Sequence, residues 1–213
     1  MLVTGATGYL GRPLVVLAAA RGHRVRAFVR PGSESKLPAG VEIALGDALA
    51  ARDLTAASSP GDTLVHLVGT PRPSPAKAQQ FQDVDLPSIR ASTEAGVAAC
   101  IAHLVYVSVA HPAPMMQAYI AVRQQGEALV RATGIPATIL RPWYVLGPGH
   151  WWPYALVPFY WLAERIPSKR ETARRLGLVT HHQMVTALMS AIEKGPEAAG
   201  VVDVPAIRAS LLS

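Results

Sequence analysis

The chain has 213 residues, 50% of them hydrophobic, and its 20 Lys and Arg against 14 Asp and Glu give a formal charge of +6. That length buries a substantial core, no stretch resembles a linker between domains, and the single cysteine, Cys100, excludes an internal disulfide. The basic residues are scattered except at Lys169, Arg170, Arg174 and Arg175; without interleaved aromatic platforms they argue against a nucleic-acid partner.

The chain opens with the apolar run Met1-Leu2-Val3, and no basic and apolar leader precedes it, so the expected location is the cytoplasm. The glycine-rich run Thr4-Gly5-Ala6-Thr7-Gly8-Tyr9-Leu10-Gly11 follows, and then a helix-like stretch from Arg12. A strand, a glycine turn and a helix in that order present backbone N–H groups at a helix N-terminus, where the helix dipole favours a pyrophosphate. Gly5 is expected to let the strand turn sharply, Gly8 to let the backbone approach the phosphates, and Gly11 to let the helix pack closely. Gly22 reads as a helix C-cap, and the strand Arg24–Val29 completes a βαβ unit.

Arg30 follows that strand, where a protein preferring NAD carries a carboxylate for the ribose hydroxyls. A guanidinium there pairs with a 2′-phosphate, so Arg30, assisted by Ser33 and Lys36, predicts NADP(H) in preference to NAD(H). A solvent-exposed arginine opening a turn is the plainer alternative. The third strand, Val41–Leu45, ends at Gly46-Asp47, and Asp47 accepts the adenine amino group or caps a helix.

The fourth strand, Thr63–Val68, runs into Val68-Gly69-Thr70, where a glycine lets the main chain pass close to a cofactor. The loop Pro71–Pro75 rims a cleft or simply connects. Leu86, Ile89, Thr93, Val97 and Ile101 recur at helical spacing, as do Met184, Val185, Leu188 and Ile192, and both stripes predict core faces. Cys100 falls at the end of the first stripe and is expected to be a buried, inert thiol. Strands are also expected at Leu104–Ser108 and Ala137–Leu140. The alternation predicts an α/β fold, a single-domain Rossmann-type doubly wound parallel sheet flanked by helices, with ligands beyond the carboxyl ends of the strands.

After the last of these strands comes Arg141-Pro142-Trp143-Tyr144-Val145, in which Trp143 and Tyr144 wall a site or fill the core. The segment Trp151–Trp161 is too short and too proline-interrupted to span a membrane. It predicts an aromatic and basic insertion over 150–180: a lid on a small-molecule substrate, a protein-partner surface, or a peripheral membrane contact suited to a quinone. His181-His182 lacks accompanying ligands, so no metal site is expected and helix-start packing is preferred.

With Thr4 to Gly11, Arg30, Gly46-Asp47, Tyr106-Val-Ser108, Tyr119-x-x-x-Arg123 and Leu140 to Gly149 in order, the chain resembles the short-chain dehydrogenase/reductase superfamily over nearly its whole length. It is most similar to the atypical NAD(P)H-binding members, which include nitrogen-regulator-like NADP sensors, flavin and quinone reductases and the complex I accessory subunit. The resemblance implies that Tyr119 handles a proton and that the residue four later, here Arg123 where the family has lysine, holds the nicotinamide ribose. The family's catalytic hydroxyl aligns with Ala110, so Ser108, nearer the strand, either meets the nicotinamide or simply caps the strand; the resemblance further implies that Pro142, Trp143 and Val145 contact the nicotinamide through main chain. His111 is a weaker candidate proton donor. Two functions follow: an oxidoreductase acting on a small planar or apolar carbonyl or quinone, and a non-catalytic NAD(P)H sensor or assembly subunit.

Overall fold

The computed structural model describes residues 1–147 and 175–210. Seven short strands form one sheet: β1 (Leu2–Thr4), β2 (Arg26–Val29), β3 (Glu42–Leu45), β4 (Thr63–His66), β5 (His103–Val107), β6 (Ala137–Leu140) and, after the two-stranded pair below, β9 (Gly200–Val202). Their order is β3-β2-β1-β4-β5-β6-β9, every neighbouring pair is parallel, and the order reverses between β1 and β4. A separate parallel pair, β7 (Tyr144–Leu146) and β8 (Leu178–Thr180), lies beyond the end of β6. Among the described residues the α-helices of six residues or more are α1 (Gly11–Ala20), α2 (Ala51–Ala57), α3 (Leu86–Ala98), α4 (Gln117–Ala132), α5 (His181–Lys194) and α6 (Val204–Ala209).

The central strands β1, β2, β4, β5 and β6 are largely buried, and the period of two along each backbone splits their side chains between two cores. Val3, Val65, Val105 and Leu140 point to the side where Leu14 and Val15 of α1 and Met184 and Leu188 of α5 pack. Leu2, Leu64, Leu104, Tyr106 and Ile139 point to the other, against Leu54 of α2, Ile89 of α3 and Val130 of α4. The doubly wound parallel sheet is therefore the fold the alternation predicts. Among the described residues no helix is long and apolar enough to cross a membrane.

Three expectations are corrected. β3 is not a buried strand but the sheet's edge, with Ile43 and Leu45 exposed, because nothing among the described residues pairs beyond it. Val97 leaves the core stripe and is 54% exposed, whereas Ile101, past the end of α3, is buried by the chain's return towards β5. Cys100 is exposed and outside the helix; it takes a left-handed conformation (φ 52°) in the turn that closes α3. Gly22, with φ 82°, terminates α1 as expected.

Candidate functional site

The glycine turn lies at the carboxyl end of β1, beside the point where the strand order reverses. Gly5 has φ 66°, and a Cβ there would stand 2.8 Å from the Leu67 carbonyl, so this position needs glycine both for its conformation and for the close pass to the β4 loop. The Gly8 N–H donates to the Gly5 carbonyl at 2.9 Å and closes the turn. A Cβ on Gly11 would collide with the Gly5 carbonyl oxygen and come within 2.8 Å of Ala6 Cα, so α1 starts against the turn itself. No side chain caps α1: Leu10 occupies the N-cap and the first turn carries no acid. A helix N-terminus open in this way suits an anion, and Thr7, Gly8, Tyr9 and Leu10 surround it.

At the edge of the same rim β2 and β3 end side by side, the Gly46 N–H donating to the Val29 carbonyl at 3.1 Å. Arg30 and Asp47 thus follow two strands that are paired to their ends. Arg30 is exposed and opens a turn in which its carbonyl accepts from Ser33 N at 3.1 Å. Asp47 is not a helix N-cap. Ala50 holds that position, and Asp47 Oδ1 accepts from Leu49 N at 3.0 Å while its own N–H donates to Asp53 Oδ2 at 3.0 Å.

Helix α4 carries Tyr119, Arg123 and Glu127 in succession, one turn apart on one face. Arg123 is buried and does not stand free. Its Nη2 donates to Asp85 Oδ1 at 2.7 Å and its Nη1 to the Val107 carbonyl at 3.1 Å, while its Nε has no partner. Asp85 sits on a widened turn, Phe81–Asp85, that leads into α3, and its Oδ2 accepts from Thr70 N at 2.9 Å and from Thr70 Oγ1 at 2.6 Å. A Cβ at Gly69 would collide with Arg123 Nη2 and approach Asp85 Oδ1 to 3.2 Å. Val68, Gly69 and Thr70 therefore wrap an ion pair. Burial opposes the charge on Arg123, yet its neighbours Tyr119, Tyr106 and Asp85 outweigh that and raise its pKa. Its guanidinium lies 5.1 Å from the Tyr119 ring centroid and 5.9 Å from that of Tyr106. The Tyr119 ring leans on Phe81, 5.0 Å between centroids.

Ser108 is likewise committed. Its hydroxyl donates to Glu127 Oε1 at 2.7 Å, so the proton points to a buried carboxylate and away from the cofactor rim. Arg141 donates to both oxygens of Glu127, Arg131 Nη2 donates at 2.7 Å, and His111 Nε2 stands 3.4 Å away. Burial would raise the Glu127 pKa; the hydrogen bonds from Arg141, Ser108 and Arg131 overcome it and hold the carboxyl at about 2. His111 Nδ1 meets Gln124 Nε2 at 3.3 Å, which fixes this ring too within the Glu127 cluster.

Ser108 N donates to the Leu140 carbonyl and Ala110 N to the Pro142 carbonyl, both at 2.8 Å, which brings the β5 and β6 ends together. Trp143 packs against the core and meets Tyr144 edge-on at 5.3 Å, and Val145 lies in β7. The aromatic segment Trp151–Trp161, with Lys169, Arg170 and Arg174, lies outside the described residues. His66, on β4, escaped the sequence argument: it is fully buried, bonded through Nδ1 to Ser92 Oγ at 2.9 Å, and burial lowers its pKa to about 3. Asp85 and Glu127 escaped it as well. Their signal, a carboxylate with apolar neighbours in a helical pattern, matches any surface acid. Among the described residues no cluster of His, Cys, Asp and Glu suits a metal ion.

A doubly wound parallel sheet with an uncapped glycine turn at its reversal point defines a dinucleotide-binding protein of the Rossmann type, with the fold of the short-chain dehydrogenase/reductase superfamily. The NAD(P)H-binding family matches residues 5–148, and the chain belongs to that family. It is 34% identical over 149 residues to a ceramide reductase of Caulobacter vibrioides, covering 69% of this chain and 46% of the relative. To sterol demethylase protein B of Methylococcus capsulatus it is 28% identical over 169 residues, covering 69% and 52%. The chain thus spans about half the length of the curated relatives it matches. Among solved structures, a short-chain dehydrogenase/reductase superfamily protein of Agrobacterium tumefaciens with bound NAD superimposes with a TM-score of 0.68 at 21% identity, covering 94% of this chain and 75% of that one. MoeE5 in complex with UDP-glucose and NAD does so with a TM-score of 0.66 at 23% identity, covering 99% and 81%. At these identities the structural likeness concerns the fold.

Proposed function

We propose that the protein binds NADP(H) in preference to NAD(H) and reduces a small apolar or planar carbonyl or quinone. The observation that carries this is the uncapped glycine turn on the same strand-end rim as Tyr119, which is half-buried beside a fixed cation. The residues fit a dinucleotide: Gly5 and Gly11, where a Cβ would collide with backbone, let the turn fold tightly against the β4 loop and the start of α1, and the N-terminus of α1 carries no side-chain cap. Arg30, exposed at the end of β2, suits a 2′-phosphate, and Asp47, past the end of the paired strand β3, suits the adenine. When bound, the reduced nicotinamide supplies hydride to an acceptor carbon. Tyr119 donates its hydroxyl proton to the acceptor oxygen, and Arg123 sets the electrostatics behind the phenol while it stays paired with Asp85. Main chain at Gly69, Pro142, Trp143 and Val145 lines the nicotinamide side. The two curated relatives are named for a ceramide and a sterol, which supports an apolar acceptor.

A second reading, an NAD(P)H-binding protein that does not consume its cofactor, is favoured by one specific finding: the Arg123 and Ser108 side chains are both tied to buried carboxylates. The two are separated by titrating NADPH and then following its absorbance with a panel of carbonyls and quinones. Turnover that Tyr119→Phe abolishes while cofactor affinity is kept supports the reductase; binding without consumption of any acceptor overturns it. Arg30→Ala should equalise the affinities for NADPH and NADH, and a persisting preference for NADPH would remove Arg30 from the role.

A further inference from the structure

The start of α5 reaches across the molecule to the glycine turn. Thr180 Oγ1 accepts from Gln183 N at 3.1 Å and Gln183 Oε1 accepts from Thr180 N at 2.8 Å, a reciprocal cap that fixes the backbone of His181, the first residue of the helix. The His181 ring then meets Tyr9, 172 residues away: Nε2 lies 2.9 Å from the Tyr9 carbonyl oxygen, and the two rings stand edge-on, 4.5 Å between centroids. A carbonyl only accepts, so Nε2 carries the hydrogen. Gly147, just after β7, completes the contact. A Cβ there would collide with the Tyr9 hydroxyl and come within 2.8 Å of His181 Cβ.

What this contact controls follows from the peptide unit. The Tyr9 carbonyl and the Leu10 N–H belong to one planar trans peptide and point in opposite directions. Holding the carbonyl towards His181 therefore fixes the Leu10 N–H away from it, at the N-terminus of α1 where no side chain supplies a cap. We propose that His181 is a positioning residue for the phosphate-binding turn, orienting the Leu10 N–H for the cofactor's pyrophosphate through the Tyr9 carbonyl. This rests on the cofactor reading given above. His182, its exposed neighbour, faces elsewhere on the helix and serves as an internal control.

The test is a titration of the full chain with NADPH, followed by nicotinamide fluorescence, in the wild type, His181→Phe, His181→Gln and His182→Ala, with the thermal unfolding midpoint of each cofactor-free protein. Phenylalanine keeps the ring contact and loses the donor; glutamine keeps an N–H donor at similar reach and loses the ring. His181→Phe is expected to weaken NADPH binding about 3- to 10-fold, the worth of one hydrogen bond, with His181→Gln within about 2-fold of the wild type and His182→Ala unchanged. Should the phenylalanine variant fail to fold, His181→Leu takes its place against His181→Gln. Wild-type affinity in the variant that lacks the donor, or an equal loss in His181→Gln, overturns the proposal. A wild type that binds neither NADPH nor NADH overturns the cofactor reading itself and this inference with it.

Discussion

Removing the carboxylate at Asp85 tests how Arg123 is held. The Asp85 and Arg123 side chains are 1% and 7% exposed, and three donors converge on Asp85: Arg123 Nη2, Thr70 N and Thr70 Oγ1. Asp85→Ala strands a buried guanidinium whose Nε already lacks a partner, together with both Thr70 donors. Breaking a buried pair from one side costs about 3–5 kcal/mol, which at about 2–4 °C per kcal/mol for a chain of this size lowers the melting temperature by roughly 6–20 °C. Arg123→Met should cost less, about 2–3 kcal/mol, because Asp85 keeps its two bonds from Thr70. The double variant should cost less than the sum of the singles by more than about 1 kcal/mol. Urea unfolding of the four proteins reads all three quantities. An Asp85→Ala cost below about 1 kcal/mol with additive singles would mean that Asp85 does not hold Arg123, leaving the guanidinium free for a ribose after all.

Stability should fall with acid in two stages. His66 titrates at about 3 in the folded chain against 6.5 unfolded, so below pH 6.5 the unfolded chain takes up a proton that the native one refuses, and its contribution, present above 6.5, is lost progressively towards 3; by pH 5 the loss is about 2 kcal/mol. Glu127 titrates at about 2 against 4.5, so its contribution is intact above 4.5 and disappears between there and 2. Urea midpoints against pH should flatten between 6.5 and 5 in His66→Gln and only below 4.5 in Glu127→Gln; the reverse assignment would refute both. Gly69→Ala drives a Cβ into Arg123 Nη2 and should cost about 1–3 kcal/mol by thermal unfolding, a cost that shrinks in an Arg123→Met background where the obstruction is gone. Equal costs in both backgrounds would place the strain elsewhere.

What could be read in the sequence is what the backbone makes locally. The glycine turn and the central buried strands are set by neighbours in the chain, and the structure reproduces them within the doubly wound parallel sheet that their alternation with helices predicts. The edge strand β3 misled because Val41–Leu45 has the composition of a buried strand and only the sheet order reveals that one side is open. Cys100 misled because the helix stops at Ala98, before the turn that exposes the thiol. The fates of Arg123 and Ser108 could not be read at all. Their partners lie 38 and 19 residues away, on elements whose approach depends on how α3 and α4 pack.

That division has a functional consequence. On the proposed reading the pyrophosphate is held chiefly by main chain of the glycine turn, where Gly5 and Gly11 leave no room for a Cβ, with side chains such as Arg30 and His181 adjusting the affinity. The positions that use the cofactor in the wider superfamily are built from side chains, and here two buried carboxylates, Asp85 and Glu127, have drawn Arg123 and Ser108 into structural pairs. Arginine at the lysine position also needs its surroundings: without Asp85 the charge is unpaired, and with any side chain at residue 69 the guanidinium has no room. Tyr119, half-buried and carrying no such tie to a carboxylate among the described residues, is the side chain that the proposed function leaves to act on an acceptor. On the proposed function holding and using the nicotinamide rest on different parts of the chain, so binding and turnover have to be measured independently before either is inferred from the other.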